Sequence, residues 1–157
     1  MQRVIKKLKE KNKTISTMES CTGGGIANAI TNIEGASDVF KFSAITYSNE
    51  YKIKMGVDSK VIENYTVYSM ETAMEMSKNI SEFASSNIGI GVTGKLNKPD
   101  NNNKYGDDGK VFVSIYNKDI DKFNNFEIKV IEDANRKENK KYIIDKIVEE
   151  LLRILDW

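Results

Sequence analysis

The sequence predicts a single three-layer α/β/α sandwich with a mixed sheet, and three observations carry that prediction. Segments with the two-residue alternation of strands interleave with segments whose apolar residues recur every three or four positions. No linker and no internal repeat divides the chain. With 157 residues, 39% of them hydrophobic and 30% charged, the chain has the size and composition of one globular domain. Residues 1–157 are therefore read as one domain, and covering both faces of a sheet with helices is the economical way to bury the interleaved elements.

Taken in order, Val4, Ile5 and Leu8 have helical spacing, and Thr14–Met18 is a short β-favouring run that stops at a polar, glycine-rich turn from Ser20 to Gly25. Ile26, Ala29, Ile30 and Ile33 then place a helix from Gly25 to about Ile33, closed by Gly35. Phe40–Thr46 reads as a second strand, followed by the polar cluster Tyr47-Ser48-Asn49-Glu50, a short helix through Met55 and another over Ser59–Tyr65. Ser69 is a predicted cap for a longer helix with Ala73, Met76, Ile80, Phe83 and Ala84 on one face and Glu71 in its first turn. Ile88–Val92 reads as a buried strand whose Gly89 and Gly91 admit another backbone or a ligand. Lys95–Gly109 is a long Asn-, Asp- and Gly-rich loop. Two alternating runs, Val111–Tyr116 and Phe126–Val130, form a predicted hairpin across Asn117–Asn125. A final helix carries Ile144, Ile147, Val148, Leu151 and Leu155 as one stripe.

Composition narrows the chemistry. The 24 basic and 23 acidic residues nearly cancel and the lysines are scattered, which argues against a nucleic-acid partner and for a small molecule. No run approaches the ~20 apolar residues of a membrane span, and Met1–Lys6 lacks the apolar core of a signal peptide. A cytoplasmic protein with no membrane partner is expected. Cys21 is the single cysteine and there is no histidine, so a disulfide within the chain, a Ser-His-Asp triad and a Cys-His pair are excluded, and neither a metal nor a cofactor is expected. Any base must be a lysine, a carboxylate or a tyrosine. The exposed faces of so small a sheet make a homo-oligomer, a dimer or larger, a reasonable expectation.

Ligands of such folds collect beyond the carboxyl ends of strands, where three polar clusters fall: Glu19–Gly24, Tyr47–Lys52, and Thr93-Gly94 with the loop after it. The first opens a helix, whose amides and glycines favour an anion or a developing oxyanion. Ser20 is a candidate nucleophile there, although serine is also a common helix cap. Cys21 is a rival nucleophile or a small buried hydrophobe. Lys52 and Lys54 are ordinary surface charges unless one sits desolvated beside Ser20 and serves as base. Arg136 is a surface residue or a fork-shaped phosphate donor, and Tyr47 is a candidate core residue.

The run Thr17-Met18-Glu19-Ser20-Cys21-Thr22-Gly23-Gly24 resembles the T-A-E-S-C-T-G-G signature of the CinA carboxy-terminal domain, the nicotinamide-nucleotide amidase family. The resemblance continues through Thr46-Tyr47-Ser48-Asn49-Glu50-Tyr51-Lys52, Val67-Tyr68-Ser69, Gly91-Val92-Thr93-Gly94 and the segment around Asp133–Arg136. It implies hydrolysis of the carboxamide of nicotinamide mononucleotide to nicotinate mononucleotide and ammonia by a Ser-Lys mechanism, without a metal or cofactor. Carried over position by position, it puts Ser20, Lys52 and Tyr47 in catalysis. Glu19, Thr22, Gly23, Gly24, Asn49, Thr93, Gly94 and Arg136 fall at substrate-binding positions, and the chain looks like the form that stands alone. The family's A-G-P-x-G-G is replaced by Leu96-Asn97-Lys98-Pro99-Asp100-Asn101. That change motivates a second reading, a nucleotide-binding or regulatory module or an amidase with another substrate. The spacing from Lys52 to Gly56-Val57 leaves Lys54 as an alternative base.

Overall fold

In the computed structural model, which describes residues 1–97 and 107–156, a five-stranded sheet runs in the order β2-β1-β3-β4-β5. Its strands are β1 (Ile15–Glu19), β2 (Phe40–Ile45), β3 (Ile88–Gly94), β4 (Lys110–Asn117) and β5 (Lys122–Lys129). β1 pairs in parallel with both β2 and β3, and β3–β4 and β4–β5 are antiparallel. β1 and β3 are buried along their whole length, as parallel strands covered on both faces must be. The mixed sheet expected from the sequence is the one observed.

Six α-helices among the described residues accompany it: α1 (Gln2–Glu10), α2 (Gly25–Thr31), α3 (Asn49–Lys54), α4 (Ser59–Tyr65), α5 (Met70–Ala84) and α6 (Arg136–Leu155). On one face, Val4, Ile5 and Leu8 of α1, Ile26 and Ile30 of α2, and Ile143, Ile147 and Leu151 of α6 share the main core with Ile15, Ile88 and Ile90. On the other, Met76 and Ile80 of α5 pack with Met18, Ala44 and Val57. The layers are thus helix, sheet, helix in one domain.

α5 lies directly on the backbone of β3. A Cβ at Gly91 would sit 2.2 Å from the Ala73 carbonyl oxygen and 2.6 Å from the Ser77 nitrogen, and one at Gly89 would sit 2.0 Å from the Ser77 carbonyl oxygen. The glycines of this strand therefore admit a helix backbone, which answers the choice left open by the sequence. α5 starts where predicted, with Ser69 Oγ accepting from the Thr72 amide.

Several expectations need correction. Phe83 does not belong to the packed face of α5: it is 65% exposed and its ring stacks obliquely on Phe42 at the sheet edge. β5 begins at Lys122 rather than Phe126, because the reversal needs only the 3₁₀ turn Lys118–Ile120 and Asp121 at φ 48. Its Lys122, Asn124 and Asn125 are polar because the strand forms the outer edge of the sheet, where side chains meet water. In α6 the stripe includes Ile143 and Asn139 as fully buried residues, whereas Ile144 and Val148 are half-buried. Of the predicted loop, residues 98–106 lie outside the described residues.

Candidate active site

β1 ends at Glu19, and the two residues flanking its carboxyl end prolong the ladders on either side. The Ser20 amide donates to the Val92 carbonyl of β3 at 3.1 Å, and the Thr46 amide donates to the Glu19 carbonyl at 2.8 Å. Ser20 is thereby held at the point where α2 leaves toward one face of the sheet and α5 enters from the other, the crevice in which α/β folds bind ligands.

Ser48 caps α3, its hydroxyl accepting from the Tyr51 amide. That short helix turns Lys52 inward and Lys54 outward, since residues two apart on a helix point to nearly opposite sides. The Lys52 side chain is 2% exposed. Its Nζ lies 3.1 Å from Ser20 Oγ and donates to the Thr46 carbonyl oxygen at 2.7 Å. Lys54 is exposed, pairs with Glu50 and covers the Tyr51 ring. Of the two lysines the sequence could not separate, only Lys52 touches Ser20.

Glu19 and Thr22 build the turn. Glu19 Oε1 accepts from Thr22 Oγ1 at 2.7 Å and from the Ile26 amide at 2.9 Å, and Oε2 accepts from the Ala27 amide at 2.9 Å. Both residues are buried. The expectation that the first amides of α2 are open to an anion is corrected accordingly: a carboxylate of the chain already occupies those at Ile26 and Ala27, where the helix dipole favours negative charge. Gly23 and Gly24 take φ of 60 and 89, conformations that a side chain would strain.

Thr93 is buried and donates to the Val67 carbonyl at 2.7 Å, tying β3 to the segment that leads into α5. Gly94 admits β4, since a Cβ there would lie 2.5 Å from the Lys110 carbonyl oxygen. Asn49 is the half-buried first residue of α3. Tyr47 is 65% exposed, so it is not a core residue. Cys21 is buried, and burial pushes its thiol up to about 12, against the pull of the Lys52 and Arg136 charges. A thiol in that state is no nucleophile near neutral pH.

Arg136 opens α6 as an exposed residue close enough for its charge to act on Cys21. Two further cations were missed by sequence reasoning. Lys140, one turn along α6, places Nζ 3.2 Å from where a Cβ of Gly23 would be. Lys95, directly after Gly94, is 4% exposed, with Nζ 3.7 Å from Asp108 Oδ1 and 5.0 Å from the Tyr68 ring. The signal for Lys140 was its four-residue spacing from Arg136; Lys95 carried none, because a lysine opening a polar loop reads as solvated. Of the altered segment, residues 98–101 lie outside the described residues. No described helix is long and apolar enough to cross a membrane.

Comparison with known proteins finds relatives along nearly the whole chain. The model of the CinA C-terminal domain matches residues 1–155. A competence-damage inducible protein of Clostridium perfringens is 36% identical over 152 residues, covering 96% of this chain and 37% of that protein. One of Alkaliphilus metalliredigens is 50% identical over 92 residues, covering 58% and 22%. The chain therefore spans well under two thirds of these relatives. Among solved structures, a competence/damage inducible protein of Agrobacterium tumefaciens superposes with TM-score 0.87 at 26% identity, covering 99% of this chain and 92% of that one. A CinA superfamily protein of Klebsiella pneumoniae reaches 0.90 at 20% identity, covering 99% and 96%, and shares the fold.

Proposed function

Since the chain belongs to the CinA C-terminal domain family, we propose that it hydrolyses the carboxamide of nicotinamide mononucleotide to nicotinate mononucleotide and ammonia, with Ser20 as nucleophile and Lys52 as base. The observation that carries this reading is the buried Lys52 Nζ at 3.1 Å from Ser20 Oγ. In a chain without histidine, that pair joins a hydroxyl to an amine within hydrogen-bonding reach, the geometry that a nucleophile and its base require.

The chemistry runs in two halves. Neutral Lys52 takes the Ser20 proton as Oγ bonds to the carboxamide carbon, while the Thr46 carbonyl keeps the amine aimed at Ser20. The tetrahedral intermediate collapses, the C–N bond breaks, and the leaving nitrogen receives the proton from Lys52 and departs as ammonia. Water then attacks the Ser20 ester with Lys52 again as base, which releases the carboxylate and restores the hydroxyl. Glu19 and Thr22 act by holding the turn that presents Ser20. Arg136 supplies positive charge for the nucleotide, Tyr47 and Asn49 line the approach in this reading, and buried Thr93 holds the Val67 segment beside it. Exposed Phe42 and Ile45 of the edge strand β2, with Phe83 against Phe42, support self-association of the chain.

Product analysis tests the proposal. Purified protein given nicotinamide mononucleotide should yield nicotinate mononucleotide and ammonia in equal amounts. Calorimetric binding of the nucleotide without either product would instead favour the binding-module reading.

A further inference from the structure

α6 runs along the nucleophile turn in register with it. A Cβ at Gly25 would meet Ile144 Cδ1 at 2.9 Å, and one at Gly23 would meet Lys140 Nζ at 3.2 Å. One turn earlier stands Arg136, whose charge acts on Cys21. The i, i+4 ladder 144, 140, 136 therefore tracks the turn backward from Gly25 toward Ser20, and it changes from apolar to cationic as it nears the nucleophile.

Of the cations after Lys140 on this helix, Lys141 pairs with Asp145, Lys146 with Glu149 and Arg153 with Glu150. Lys140 has no carboxylate partner among the described residues. The start of the helix is also anchored. Buried Asn139 accepts from the Ile131 amide at 2.9 Å and donates to the Ile131 carbonyl at 3.1 Å and to Asn97 Oδ1 at 3.3 Å. Asn97 in turn donates to the Ala134 carbonyl at 2.6 Å. An asparagine inside a helix, fully buried and bonded to the preceding turn and to the segment after β3, fixes where Arg136 and Lys140 stand.

We infer that Lys140, together with Arg136, forms a subsite for the phosphomonoester of the ligand beside the Gly23-Gly24 turn, with Asn139 as its positioning residue. A phosphate dianion offers three acceptor oxygens, which suits a fork-shaped guanidinium and a point-charge ammonium one helical turn apart. The inference rests on the nucleotide reading above only for the rest of the ligand.

The test measures binding calorimetrically in a Ser20→Ala background, so that turnover is not required, with Lys140→Met and Lys140→Arg compared after their unfolding midpoints are matched. Probes are nicotinamide mononucleotide against nicotinamide riboside, and adenosine monophosphate against adenosine. Loss of one charge-assisted contact should weaken either phosphorylated probe by about tenfold or more in Lys140→Met. Lys140→Arg should retain most of the affinity, and neither nucleoside should respond to the change. Equal weakening of nucleotide and nucleoside, no change with either, or no binding of any phosphomonoester would overturn the subsite. Phosphate dependence with adenosine monophosphate alone would uphold it while refuting the nicotinamide reading.

Discussion

Replacing Lys52 by methionine separates catalysis from architecture, because the side chain keeps its length and loses only its amine. The side chain is 2% exposed, and its amine bonds Ser20 Oγ and the Thr46 carbonyl. Removing it leaves that carbonyl short of a donor, at a cost of about 1–3 kcal/mol, and also removes the cost of keeping an amine out of water. The two terms oppose each other, so the unfolding midpoint should move by less than roughly 8 °C. Catalysis has no such compensation: loss of a positioned base lowers kcat by about 10²–10⁴, or about 2.7–5.5 kcal/mol of barrier. Lys52→Arg should be as poor as Lys52→Met, because a guanidinium restores the charge but does not give up a proton. Lys54→Met, which breaks the surface pair with Glu50 and the contact with the Tyr51 ring, should turn over normally. The assay is ammonia release with thermal unfolding of each variant alongside. A folded Lys52→Met or Lys52→Arg within tenfold of wild type would refute the reasoning.

Cys21 should resist iodoacetamide in the native protein: with its thiol pushed up to about 12, on the order of one molecule in ten thousand carries a thiolate at pH 8. Alkylation with loss of activity within minutes, followed by mass spectrometry, would contradict that. Gly91→Ala drives a methyl into the α5 backbone and should cost about 3 kcal/mol or more, lowering the midpoint by roughly 6–12 °C; an unchanged midpoint would show that α5 does not lie on β3 as described. Thr46 Oγ1 is buried without a hydrogen-bond partner among the described residues, so Thr46→Val should stabilise the fold by about 1 kcal/mol while sparing the backbone carbonyl that holds Lys52. A lower denaturant midpoint would mean that the hydroxyl has work to do.

The parts of the fold legible in the sequence were those with local signals. The β1 run, the glycine turn, the Ser69 cap and the two-residue alternation of β4 each express themselves within a few neighbouring residues. Ser20 was legible for the same reason, since a polar residue between strand and glycines has few other places to be. The choice of Lys52 over Lys54 depended on the phase of a six-residue helix, which is too short for periodicity to establish. Lys140 and Asn139 were hidden because polar residues in the first turns of a charged helix look solvated. What gives them meaning is the seat of α6 against the Gly23 turn and Asn97, contacts that join residues far apart in the chain. Phe83 misled for the opposite reason: its spacing fitted the packed face of α5, but its ring lies out on Phe42 of the edge strand, open to solvent. Glu19 was readable as polar and functional, yet which amides its carboxylate would meet is a property of the folded turn.

Ammonia release from nicotinamide mononucleotide by wild type and Ser20→Ala, measured side by side with both proteins shown to be folded, tests the central claim most directly. The account predicts turnover by wild type and a loss of at least about 10²-fold in the variant; turnover by Ser20→Ala at the wild-type rate would contradict it.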